Sequence, residues 1–181
     1  MTVRLYLDID GVLNASQPHI KWGGERAEGL AVSSYDFDGE PHILSTEPQF
    51  VMRWSPGLID ALNGLDIEIV WLTTWRMDAA FSVGPLMGLK SAVRVLHPLN
   101  GRTTFPSINW KYEAVREDQA KSPSPFIWAD DELYDLPGEV LSSVRTENSV
   151  LVAPNPLFGI TPEHVEQMQK LISSQLVKSD S

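Results

Sequence analysis

The sequence predicts an α/β layer fold built on a parallel sheet. Five short apolar segments rich in β-branched residues recur along the chain: Val3–Ile9, Ile67–Leu72, Ala92–Leu96, Pro125–Ala129 and Ser149–Ala153. Most of them lack strict polar alternation, the pattern of a strand covered on both faces. Helical stretches lie between them, and right-handed crossovers turn such an alternation into a parallel sheet with helices on either side.

Each element has its own signal. The first segment runs straight into Asp8-Ile9-Asp10-Gly11. Residues 14–53 then break the alternation, with Gly23-Gly24, a turn-like Asp38-Gly39-Glu40-Pro41 and flanking segments of strand character. A β-hairpin inserted after the first strand, serving as a flap or cap, is the simplest reading of that stretch. Ser55 at an N-cap, Pro56 at the first helical position and Gly64 as a stop define a first helix. Asn109–Lys121, rich in Lys, Glu, Ala, Arg and Gln, is a second. The third opens at Thr161-Pro162-Glu163 and sets Val165, Met168, Ile172 and Leu176 in an apolar stripe expected to face the core. The chain reads as one domain over residues 1–177, followed by a polar tail, Lys178-Ser179-Asp180-Ser181.

Composition narrows the function. Among 181 residues, 14 Lys+Arg stand against 24 Asp+Glu, a formal charge of −10. Such a surface repels polyanions and disfavours bulk binding of DNA or RNA, while leaving contact with one nucleotide or terminal phosphate open. Cysteine is absent, which excludes disulfides, thiolate metal sites and cysteine nucleophiles. The start, Met1-Thr2-Val3-Arg4, lacks the pattern of a secretory signal, and no apolar run approaches the roughly 20 residues that cross a bilayer. A cytoplasmic location without membrane contact is expected.

The chemistry lies at the strand ends. The first strand ends at Asp8 and Asp10, the second at Thr73-Thr74 and the fourth at Asp130-Asp131-Glu132, while Lys111 opens the helix after the third. Ligands of open parallel sheets bind at that carboxyl edge. Asp8, Asp10, Asp130 and Asp131 in one cleft repel one another, each pair at about 4 Å by on the order of 4 kcal/mol at an effective dielectric near 20. A hard divalent cation removes that penalty, and oxygen ligands suit Mg²⁺. The cation attracts a phosphate, whose remaining charge Lys111 and the Thr73 hydroxyl can meet. One carboxylate can attack phosphorus, and a second, two residues on, can move the proton.

These residues resemble the four ordered motifs of the haloacid dehalogenase-like (HAD) phosphohydrolase superfamily: Asp8-x-Asp10-Gly11-Val-Leu, an apolar strand ending in Thr73, Lys111, and Asp130-Asp131. The resemblance spans roughly residues 3–160. It implies a three-layer Rossmann-like fold with a five-stranded sheet of order 5-4-1-2-3. It makes Asp8 the nucleophile and a metal ligand, and Asp10 the general acid/base, whose backbone carbonyl also touches the metal. Thr73 and Lys111 hold the phosphoryl group, with Thr74 as an alternative to Thr73. Asp130 binds Mg²⁺ with Asp131 beside it, and Asp135 lies where some members place a further acid. More narrowly, Trp71-Leu-Thr-Thr-Trp75-Arg76, Trp128-Ala-Asp-Asp-Glu132 and the segment from Pro154 to Pro162 resemble small HAD domains associated with RNA-repair assemblies.

The implied activity is Mg²⁺-dependent hydrolysis of a phosphomonoester through an aspartyl phosphate, on a phosphorylated small molecule or a nucleic-acid end. A phosphotransferase shares all four motifs and differs in whether water reaches the intermediate. Trp75, Trp110 and Trp128 adjoin motif residues, where a base can stack or the rings simply pack. Trp75 and Arg76 are the candidates for a substrate pocket. His19, His42, His97 and His164 show no metal-ligand spacing and read as surface or capping residues. Two non-enzymatic alternatives are a HAD domain that binds phosphorylated ligands without turnover and a receiver-like phosphoacceptor. Receivers place their paired acids first and their lysine last, whereas here the lysine precedes the pair.

Overall fold

In the computed structural model, which describes residues 2–31, 33–35, 41–43, 47–90, 92, 94–98 and 108–179, a five-stranded parallel sheet organises the chain; residues 33–35, 41–43 and 178–179 are described through their backbone alone. Strand β1 (Val3–Leu7) lies at its centre, between β6 (Ile67–Trp71) and β8 (Phe126–Ala129), with Leu7 opposite both Trp71 and Ala129. The edges are β7 (Arg94–Val95) beside β6 and β9 (Ser149–Val152) beside β8. The order is therefore β7-β6-β1-β8-β9. Counted over every strand in the chain, this differs from the expected 5-4-1-2-3, because four inserted strands are numbered between β1 and β6. Within the sheet, β9-β8-β1-β6-β7 occupy the five expected places.

Successive side chains alternate across the sheet and feed two apolar clusters. Val3, Leu5, Leu7, Ile69 and Trp71 pack with Leu58, Ile59 and Leu62 of α1 (Pro56–Asn63) and with Val165, Met168, Leu171 and Ile172 of α5 (Pro162–Ser179). Tyr6, Val70, Leu72, Phe126 and Trp128 pack on the opposite side with Ala114 and Val115 of α3 (Asn109–Lys121) and Val144 of α4 (Gly138–Val144). Helices thus cover both faces, which is why the strands read as continuous apolar runs.

The stretch after β1 holds two antiparallel pairs, one nested within the other. β2 (Arg26–Leu30) pairs with β5 (Phe50–Trp54), and β3 (Ser33–Tyr35) with β4 (Pro41–Ile43). Leu30, Met52 and Trp54 fix the base of this ribbon in the core. Asp38-Gly39-Glu40 of the expected turn, the His42 side chain and the Asp180-Ser181 end of the tail lie outside the described residues.

Several local expectations need correction. Ser55 occupies the N-cap of α1, but its hydroxyl donates to the Trp22 carbonyl at 3.3 Å and does not cap the helix. Leu176 is 52% exposed, so the apolar stripe of α5 ends one turn before it. A π-helical turn, Ala79–Val83, leads into the short α2 (Gly84–Met87), where no helix was expected. The segment from Pro154 to Pro162 braces the turn that follows β1. Ile160 N–H donates to the Val12 carbonyl at 3.0 Å, and the Trp22 indole donates to Ile160 O at 2.8 Å. Gly159 lies in the left-handed region (φ +66°), where an added Cβ would come within 2.5 Å of Val12 O. Among the described residues no helix is long and apolar enough to cross a membrane.

A charged network at the amino-terminal edge of the sheet anchors α3. The buried Asp118 carboxylate accepts from Tyr6 Oη at 2.6 Å and from Arg4 Nη1 at 3.2 Å, and it also pairs with Arg94. Glu68 accepts from the same two arginines. Asp118→Ala leaves these donors short of an acceptor, and a partly buried ion pair broken on one side is costly. It is expected to lower unfolding free energy by about 3 kcal/mol in urea titrations with an unchanged m-value. A loss below about 0.5 kcal/mol would show that the network does not hold the helix.

Candidate active site

Asp8 follows the last residue of β1 and Asp130 the last residue of β8. Because these strands pair in parallel register, the two carboxylates emerge side by side. The third residue of α3, Lys111, comes down between them. Its Nζ donates to Asp8 Oδ2 at 2.6 Å and to Asp130 Oδ2 at 2.8 Å, and lies 3.3 Å from Glu132 Oε2. All three side chains are almost wholly buried: Lys111 is 1% exposed, Asp8 6% and Asp130 0%.

Backbone donors complete the carboxylate shells. Asp8 Oδ1 accepts from Ile9 N–H at 2.7 Å, and Asp130 Oδ1 accepts from Glu132 N–H at 3.0 Å at the head of a 3-10 turn, Asp131–Asp135. Trp128 Nε1 is 3.4 Å from Asp130 Oδ2. Asp131, half-buried, brings a third carboxylate, and oxygens of Asp8, Asp130 and Asp131 lie within 4.8 Å of one another. Gly11 makes that approach possible. It sits at φ +69°, and a Cβ there would fall 2.4 Å from the Asp131 carboxyl carbon. Any side chain at position 11 displaces Asp131.

Electrostatics follow from one ammonium serving several acids. Burial raises the Asp8 carboxyl above its ordinary range, although Lys111 and the Thr73 hydroxyl oppose the shift. Burial, then the charge of Asp8, push Asp130 up to about 7, and the same two causes push Asp131 up to about 6. Burial alone would lower Lys111, but attraction to Asp8 and Asp130 outweighs it and keeps the amine protonated. Three carboxylates facing one ammonium leave a negative surplus in a largely buried cleft. An oxygen-rich, incompletely neutralised set of this kind suits a hard divalent cation such as Mg²⁺.

The structure distributes the remaining sequence candidates unevenly. Thr73 is fully buried beside Asp8, whereas Thr74 is exposed. Asp10 is exposed, and its carboxylate is held apart from the three-acid cluster. Asn14 Nδ2 donates to its Oδ1 at 2.7 Å and Trp75 Nε1 to its Oδ2 at 2.8 Å. Among the described residues the metal-capable group contains neither the Asp10 nor the Asp135 carboxylate, and Asp135 lies exposed at the end of its turn. Arg76 is half-buried with φ +52°, and its charge, after burial, lowers the pKa of His97. Non-glycine residues held in that region carry strain that concentrates at functional sites. Trp128 packs wholly in the core, Trp110 packs partly against the same cluster, and His164 bonds to Thr161 at the start of α5.

Sequence reasoning missed Asn14 and gave Glu132 no role beyond its place at the strand end. Asn14 is four residues beyond Asp10 in a tight turn whose Leu13 and Asn14 N–H groups both donate to Ile9 O, a spacing that could have flagged it. Glu132 adjoins the paired acids, but only the fold brings it to Lys111.

The family model described as the HAD domain in Swiss Army Knife RNA repair proteins matches residues 4–165. No curated protein and no solved structure matches the chain. The matched span includes Asp8, Asp10, Thr73, Lys111, Asp130 and Asp131.

The raised carboxyls set the pH response of the metal-free protein. Between their ordinary value of 3.8 and the folded values of about 6 and 7, the native state holds protons that the unfolded chain has released. Stability therefore falls as pH rises through that window. In EDTA, the thermal midpoint is expected to drop between pH 5 and pH 7.5, and Asp130→Asn should flatten the drop. Mg²⁺ should restore the midpoint at pH 7.5 in the wild type. A midpoint in EDTA that climbs with pH, or a slope that Asp130→Asn leaves untouched, contradicts this electrostatic description.

Proposed function

We propose, for a chain that belongs to the family of HAD domains in Swiss Army Knife RNA repair proteins, that it is a Mg²⁺-dependent phosphomonoester hydrolase working through an aspartyl phosphate. The observation that carries this reading is the buried Lys111 ammonium bridging Asp8 and Asp130, with Asp131 beside them. Asp8, Asp130 and Asp131 would hold the ion. When bound, Mg²⁺ offsets the repulsion among the acids and polarises the phosphoryl oxygens.

Asp8 attacks phosphorus, forming an acyl phosphate as the P–O bond to the leaving group breaks. Asp10, solvent-exposed and two residues away, gives the leaving oxygen its proton. Water then attacks the acyl phosphate. Asp10 takes the proton of that water, inorganic phosphate departs and Asp8 regains its carboxylate. Once Asp8 is phosphorylated its carboxylate loses its charge, which frees the Lys111 ammonium to pair with a phosphoryl oxygen. The Thr73 hydroxyl, a hydrogen-bonding neighbour of Asp8, would donate to that group as well.

The substrate we favour is a nucleotide or the terminal phosphate of a nucleic acid. The family's description names RNA repair proteins, and a net charge of −10 restricts any grip on a polynucleotide to its end. The ribbon of β2–β5 would act as a flap over this edge, with Trp75 and Arg76 at the entrance.

Hydrolysis of para-nitrophenyl phosphate tests the reading. Turnover should require Mg²⁺, stop in EDTA and fall at least roughly a thousandfold in Asp8→Asn, as loss of a covalent nucleophile does. Turnover that survives Asp8→Asn overturns the assignment. Stable accumulation of phosphoprotein from acetyl phosphate would instead favour a receiver-like phosphoacceptor.

A further inference from the structure

Asp10 is exposed, yet both of its carboxylate oxygens are fixed. Asn14 holds Oδ1 at 2.7 Å and the Trp75 indole holds Oδ2 at 2.8 Å. Each of these donors is itself tied to β5 of the inserted ribbon. Asn14 Oδ1 accepts from Arg53 N–H at 2.8 Å, and Ala15 N–H donates to Arg53 O at 3.1 Å. A backbone N–H can only donate, so it fixes the Asn14 amide with its NH₂ toward Asp10. The Trp75 ring meets Phe50 edge to face, with centroids 5.1 Å apart and planes inclined by 71°. Phe50 and Arg53 are both exposed members of β5, while Met52 and Trp54 of the same strand are buried in the core.

We propose that Trp75 and Asn14 are positioning residues that aim the Asp10 carboxylate, and that β5 sets their hold. The inference rests on the role of Asp10 in the proposed hydrolysis. An exposed carboxylate on a short side chain otherwise samples several rotamers, and a general acid works only when its proton points at the leaving oxygen. With one lone-pair site on each oxygen occupied by a fixed donor, the directions left for the transferred proton are few. Among the described residues, the ribbon thereby reaches the proton-transfer residue through one polar and one aromatic contact.

The requirement for an acid grows as the leaving group becomes more basic, so a series of aryl phosphates from dinitrophenyl to phenyl phosphate separates aiming from general damage. Trp75→Phe removes the indole donor and keeps a ring against Phe50. Its loss in kcat should grow along the series, from about threefold with dinitrophenyl to tenfold or more with phenyl phosphate. Phe50→Ala, which keeps the donor and removes its support, should show the same trend more weakly. Asp10→Asn is the reference and should show the steepest dependence of all. In the indole region of the proton NMR spectrum, the signal missing from Trp75→Phe should move in Asp10→Asn.

A uniform loss across the series in Trp75→Phe, or none, while Asp10→Asn keeps its slope, overturns the positioning role alone. A flat Asp10→Asn profile overturns the acid assignment and the inference with it. An indole signal that does not respond to Asp10→Asn shows that the hydrogen bond is absent in solution.

Discussion

Lys111 places one ammonium 2.6 Å from Asp8 and 2.8 Å from Asp130, in a cleft from which water is almost excluded. Burying either carboxylate alone would cost several kcal/mol, and burying both without a cation would add their mutual repulsion. One positive charge between them makes the arrangement tolerable and leaves a deficit that a divalent ion can fill. The architecture around the site serves to keep that ammonium where it is.

Two constraints achieve this. Parallel pairing of β1 with β8, Leu7 opposite Ala129, puts Asp8 and Asp130 at adjacent strand ends. The docking of α3 then decides where Lys111 falls. That helix is fastened near its far end by Asp118, which lies about two turns beyond Lys111 and takes bonds from Tyr6, Arg4 and Arg94. The tyrosine and Arg4 belong to β1, so the strand that carries Asp8 also anchors the helix that carries Lys111. The same logic holds at the turn after β1, where Gly11 leaves room for Asp131 and Gly159 lets the segment after β9 close beneath Val12.

Much of this is written in the sequence, because its causes are local or combinatorial. Strands covered on both faces are mostly apolar, so Ile67–Trp71 and Phe126–Ala129 stand out, and α3 keeps the limits Asn109 and Lys121 that its composition suggests. Acids at strand ends are equally visible. Contacts made only in three dimensions are not. Trp75 reads as a base-stacking or packing residue until its indole is seen on Asp10, 65 positions away. Asn14 reads only as the first residue of the inserted stretch until Arg53 closes on it. Leu176 fits the helical period of α5 but projects past the edge of the core it should cover. Ser55 has the right residue type for a cap, but its hydroxyl donates to Trp22 O and accepts no capping bond from the helix.

The most direct examination of the central claim is a crystal of the protein soaked in Mn²⁺, with anomalous scattering used to locate the ion. A single strong peak bounded by the Asp8, Asp130 and Asp131 carboxylates, lost in Asp130→Asn crystals, is the expected result. A peak elsewhere, or none at saturating Mn²⁺ with the three acids still around Lys111, would contradict the assignment of this cleft as a metal-dependent phosphoryl-transfer centre.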